Sequence, residues 1–223
     1  MTESSKLSIK STEALAQAQI KASLEAARSS KLTADKTAFE IRTLKRTEEY
    51  ALAQDEYHYR YAFTEVVGPV SSQKCQKQLA TWHRLNPKCD MEIVFTSPGG
   101  SVTDGMALFD YIQEIRRLGH KVNTHVLGIA ASMAGILLQA GDTRSMAAES
   151  WLLIHEASFG AGGKVGDVED TVEWVKKVCE RILNIFAARS TVSKAFIKSH
   201  WRRTDWWIGA EDALKYGFID EIR

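Results

Sequence analysis

Proline is scarce in this chain, and residues 1–56 contain neither proline nor glycine. Nothing in that stretch forces a turn, so its Ala, Glu, Gln, Lys and Arg content favours helix. Cysteine is scarce as well. Cys75, Cys89 and Cys179 are scattered, odd in number and outside any CxxC or metal-ligand spacing. This excludes a disulfide framework and a cysteine metal centre, and fits a reducing cytosol. Net charge is only +1, which removes the bulk electrostatic case for nucleic acid or an anionic membrane as partner. No apolar run reaches membrane-spanning length, and residues 1–10 lack the apolar core of a signal peptide. The expectation is a soluble cytoplasmic protein with no membrane or nucleic-acid partner, no cofactor and no metal.

What is present falls into two parts. In residues 1–56 the apolar positions Leu15, Ile20, Leu24, Leu32, Phe39, Ile41, Leu44 and Leu52 follow no sustained heptad. The segment reads as a helical extension with breaks near Ser29-Ser30 and Thr33. It is a partner-binding helix, an oligomer arm or a solvated tail. From Tyr57 the pattern becomes period two, with Tyr57, Tyr59, Tyr61 and Phe63 on one face of a strand. The chain then alternates strands and helices. Ser71 caps a helix to about Leu85, and a strand spans 91–96. A helix from Ser101 to about Leu118 carries a Ser101/Asp104 capping box, with Val102, Met106, Phe109, Ile112 and Ile115 on one face. A strand follows from Val122, and another from Met146 to Ile154. After Gly160–Gly163 a long amphipathic helix presents Val168, Val172, Val175, Cys179, Ile182 and Phe186. A short helix spans 210–215. This alternation defines one α/β domain over 57–223.

The stretch Gly128-Ile-Ala-Ala-Ser132-Met133-Ala-Gly135 joins the Val122 strand to an apolar helix capped by Gly141. Such a turn either packs helix on sheet or exposes a serine beside free backbone N–H groups, as acyl transfer requires. A nucleophilic serine needs a base, and the base needs a carboxylate. Among six histidines, His155 ends an apolar strand and is best placed to project over a sheet edge. Asp142, Asp167, Asp170, Asp205 and Asp220 all remain open as its partner. Asp205 is notable for Trp206-Trp207 beside it, which would shield it from water.

The motifs Phe95-Thr-Ser-Pro-Gly-Gly-Ser-Val-Thr-Asp-Gly-Met106, Gly-Ile-Ala-Ala-Ser132-Met133-Ala-Gly, Leu153-Ile-His155 and the tail from Asp205 to Asp220 resemble, in order and spacing, the proteolytic subunit of the Clp protease, ClpP. The resemblance covers about Tyr57 to Arg223. It implies a crotonase-like fold with repeated β-β-α units, a protruding handle helix and a homo-oligomeric double ring. It also implies Ser132 as nucleophile, His155 as base and then acid, Asp205 as orienting carboxylate, and the N–H groups of Gly100 and Met133 as oxyanion hole. Substrates would be peptides and proteins, delivered by a Clp-type AAA+ unfoldase.

Three features depart from the family. Glu156-Ala157 follows the histidine where Gln-Pro is usual, the turn before Val122 is longer, through Arg117-Leu118-Gly119-His120, and residues 1–56 do not resemble the short axial segment. The pattern is also similar to ClpP-like proteases of tailed phages, which implies capsid or scaffold proteins as targets. A non-proteolytic crotonase-type enzyme and a silent ring subunit are the competing readings.

Overall fold

The computed structural model describes residues 3–223, and the chain divides into two compact units between Gln54 and Asp55. The first is a single helix, α1 (Glu3–Leu52), uninterrupted at Ser29-Ser30 and Thr33 where breaks were expected. The reason is local. Thr33 Oγ1 donates to Ser29 O and Thr37 Oγ1 to Thr33 O, both at 3.0 Å, so the hydroxyls are satisfied inside the helix. Leu15, Ile20, Leu24, Leu32, Phe39 and Leu44 are all exposed.

The second unit starts with a 3-10 turn at Asp55–His58. The expected strand from Tyr57 is shortened to β1 (Arg60–Phe63), because Tyr59 takes φ 57° and cannot extend it. Next come α2 (Pro69–Leu85), β2 (Met91–Ser97), α3 (Val102–Arg117), β3 (Val122–Ala131), α4 (Met133–Leu138) and β4 (Arg144–Met146). β5 (Trp151–Ile154), α5 (Val165–Ala187), α6 (Lys194–Trp201), β6 (Trp206–Gly209), α7 (Ala210–Lys215) and β7 (Glu221–Ile222) complete it. Pro69 opens α2 at its first turn, and Ser71 works one turn in, where its Oγ accepts the Gly68 N–H at 2.9 Å. Ser101 caps α3 as expected, accepting the Asp104 N–H at 3.3 Å. That helix buries Gly105, Leu108, Ile112 and Ile115, a face turned from the expected one, which leaves Val102, Met106 and Phe109 only partly covered.

The fold is α/β. β1, β2, β3, β4 and β7 form a parallel sheet in that order, β5 joins β3 in parallel, and β6 pairs antiparallel with β5. The expected 146–154 strand is therefore two strands. Ser150 stands between them, with its Oγ accepting the Gly128 N–H and donating to Val126 O. β3 pairs β4 through Thr124–Val126 and β5 through Ile129–Ala131. Gly128, at φ 74°, is the residue at which β3 leaves one neighbour for the other. Helix packing on this sheet buries Phe95, Leu108, Ile112, Val126 and Leu137 in one continuous core. Each such side chain contributes about 1.5–3 kcal/mol. α6, β6 and β7 carry no period that the sequence reading caught. Among the described residues no helix is long and apolar enough to cross a membrane.

Candidate active site

Three strand ends converge at one edge of the sheet. Ser132 is the first residue past β3, and its N–H donates to Leu153 O at 2.9 Å. Its backbone sits at φ 53°, ψ −121°, a sparsely populated conformation for a residue with a Cβ, and α4 begins at the next residue. His155 is the first residue past β5. The antiparallel ladder pairs Ile154 with Trp206, so one step outward His155 stands opposite Asp205.

Side chains complete the arrangement. His155 Nε2 lies 2.7 Å from Ser132 Oγ, and His155 Nδ1 lies 3.4 Å from Asp205 Oδ1. With the proton on Nδ1, facing the carboxylate, Nε2 accepts from the serine hydroxyl. The structure thus brings together the three residues named from sequence. Asp205, however, is not shielded. Its side chain is 62% exposed, because strand alternation turns Trp206 the other way, into a cluster with Phe196, Tyr216 and Phe218. Of the other carboxylates open from sequence, Asp142 is bound by Arg116 and Asp220 by Arg144.

The glycine turn after β2 reaches the same place. β2 slips register between Phe95 and Ser97, and Ser97 pairs with Ala130, which brings Gly99 against the Ser132 turn. A Cβ on Gly99, whose φ is 87°, would lie 2.4 Å from Ala131 O and 2.8 Å from Met133 N. The turn is anchored by a bridge between Val67 and Gly100, with Val67 N–H donating to Gly99 O and Ser101 N–H to Val67 O, both at 2.8 Å. The Gly100 and Met133 amides take no part in these bonds. Met133's side chain lies on Gly105, where a Cβ would fall 2.2 Å from Met133 Cγ. Gly99 and Gly105 are site-supporting residues that the sequence reading did not single out. Only the density of small residues signalled them.

Beside His155 opens a cleft of about 480 Å³, lined by Ala157, Phe159, Val172, Cys179, Leu183 and Trp201 together with the charged Glu156, Lys176, Glu180 and Lys198. A partly buried ion network supports the far end of α4. Arg144, 2% exposed, bonds Asp220 and Gln139 Oε1, and Arg189 joins Asp220 to the Gly141 and Asp142 carbonyls. Among the described residues no group of three or more His, Cys, Asp or Glu side chains could hold a metal ion.

A strand-end serine bonded to a histidine that faces a carboxylate, on an α/β sheet, defines the class as serine hydrolase. The Clp protease family model matches residues 59–223. An ATP-dependent Clp protease proteolytic subunit of Bacteroides fragilis is 36% identical over 149 residues, covering 66% of this chain and 70% of that protein. The corresponding subunit of Bacteroides thetaiotaomicron is 34% identical over 158 residues, covering 70% of each. Subunit 2 from Tropheryma whipplei is 34% identical over 140 residues, covering 62% of this chain and 76% of its own. The chain belongs to the Clp protease family and is a serine-type peptidase. α1 lies outside the family match.

Proposed function

We propose that this protein is an endopeptidase of the Clp type that works through an acyl-enzyme on Ser132. His155 Nε2 takes the Ser132 proton as Oγ attacks the scissile carbonyl carbon. The tetrahedral oxyanion accepts hydrogen bonds from the Gly100 and Met133 amides, the latter at the positive end of α4. As the C–N bond breaks, His155 passes the proton to the leaving amine, and water then repeats the cycle on the ester. Asp205 keeps the imidazole in the required tautomer and balances the charge it gains. The observation that carries this reading is the 2.7 Å contact of Ser132 Oγ with His155 Nε2, with Asp205 on the opposite ring nitrogen. The cleft beside His155 suits a substrate side chain with an apolar body, and Glu156, Lys176, Glu180 and Lys198 add charged groups to its lining.

The wider reading is a cytoplasmic double ring of identical subunits that encloses these sites, fed by a Clp-type AAA+ unfoldase. Its support is the family match, together with the exposed apolar residues Phe159, Val165 and Trp174 on α5 and the loop before it. One observation favours a second reading, a phage-type head-maturation protease acting on capsid or scaffold proteins. The 50-residue helix α1 is outside the family match, and so is available for recognition of a particular partner.

The test is a fluorophosphonate probe and a fluorogenic peptide. Both should react with the wild-type chain, and Ser132→Ala should lose labelling and about 10³–10⁶-fold of turnover. Equal hydrolysis by the mutant would sink the assignment.

A further inference from the structure

Between α6 and β6 the chain crosses three residues, Arg202, Arg203 and Thr204, before it reaches Asp205. The crossing is lightly held from within. Thr204 N–H reaches Trp201 O at 3.3 Å, and Thr204 Oγ1 donates to Arg202 O at 3.0 Å. Arg203 sits at φ 59°, in the left-handed region that a side chain disfavours. A residue keeps such a conformation only where its surroundings hold it. One bond from outside the crossing does so: the Arg203 N–H donates to Glu156 Oε2 at 3.3 Å. Glu156 is half-buried and directly follows His155.

We infer that Glu156 is a positioning residue that sets Asp205 against His155 by holding the Arg203 amide. This rests on the reading of Ser132, His155 and Asp205 as the triad. The two residues that flank His155 grip the backbone on both sides of Asp205. Ile154 fixes Trp206 through the β5–β6 ladder, and Glu156 fixes Arg203 through its carboxylate. Asp205 is mostly exposed, so packing does not set the place of its carboxylate and the backbone must. At 3.4 Å the carboxylate is just beyond ordinary hydrogen-bond length from Nδ1. A shift of a few tenths of an ångström decides whether that N–H has a partner. Lys176 and Lys198 line the cleft beside Glu156, so loss of its charge also alters the local field. The amide of glutamine keeps an acceptor oxygen at the same reach without the charge.

The experiment uses the full chain, with kcat and KM for a fluorogenic peptide and the rate of fluorophosphonate labelling. Asp205→Asn should lower kcat by about 10⁴-fold through the wrong tautomer. Glu156→Ala should lower kcat by roughly ten- to a hundredfold, with KM, Tm and particle mass unchanged. Glu156→Gln should return most of that loss. In the Asp205→Asn background, Glu156→Ala should have no further effect, because there is no longer an oriented carboxylate to misplace. An unchanged kcat in Glu156→Ala overturns the inference. So does an equal loss in both backgrounds, a loss that Gln does not restore, or one that only follows failed assembly. Wild-type turnover by Asp205→Asn would instead remove the triad reading itself.

Discussion

A Cβ placed on Gly99 would lie 2.7 Å from the Cβ of Ser132, so the two turns at the site share a contact with no room for another atom. Gly99→Ala should therefore push the Ser132–Met133 turn away from Gly100 and spread the two amides. Turnover should fall about 10²–10³-fold, as loss of one oxyanion donor does elsewhere. Stability should fall by only roughly 1–3 kcal/mol, the range for local backbone strain. Kinetics and a thermal melt on the same sample check this. A mutant with normal turnover would place the oxyanion donors elsewhere.

Acid should weaken the ion network beneath α4. Burial alone would raise the Asp220 carboxyl, but hydrogen bonds from the Arg144 side chain and amide, with the charge of Arg189, hold it below its ordinary 3.8. A carboxyl depressed in the folded state stabilises the fold above its unfolded pKa, and that stability is lost as pH falls through the folded value. The advantage of the wild-type chain over Asp220→Asn in urea melts should stay level from about pH 7 to 5 and shrink steadily below about pH 4. A difference that grows on acidification contradicts this.

Assembly should depend on the exposed side of α5. Val175, Ile182 and Phe186, on the apolar face of the amphipathic helix read from sequence, pack inside their own subunit. Trp174, 56% exposed, and Val165 remain open to solvent. Replacing these two with Glu should lower the particle mass, and activity with it, while Tm changes little. An active monomer in sedimentation of the wild-type chain would end the ring proposal.

Residues 1–54 should be separable. They form a unit of their own, and their large apolar residues from Leu15 onward are exposed. A chain that begins at Asp55 should remain soluble and cleave small peptides at a rate within about twofold of wild type, since the removed unit carries none of the site. It should lose recognition of whatever protein α1 binds, measured as cleavage of folded substrates. Aggregation of the shortened chain would show that α1 covers apolar surface in the particle.

The sequence made the two turns legible because small residues there have few other uses. Gly99-Gly100 and Ala130-Ala131-Ser132 are dense signals, and the apolar runs before them marked β2 and β3. His155 was legible as the polar residue that ends an apolar strand. Asp205 was not, since five carboxylates fitted equally until family resemblance chose among them. What chooses physically is the β5–β6 pairing, a contact between segments distant in sequence that no local period reveals. Thr33 misled for a related reason. Its propensity favours a break, but a hydroxyl bonded four residues back lets the helix continue.

The pairing of Ile154 with Trp206 also separates two evolutionary freedoms. Everything between His155 and Asp205, from the glycine loop through α5 and α6, is a detour that leaves one rung of a ladder and returns to the same rung. Apart from Glu156 and Arg203, which brace the rung, its length and surface can change with substrate and assembly partner while the two strands that close it still set His155 opposite Asp205.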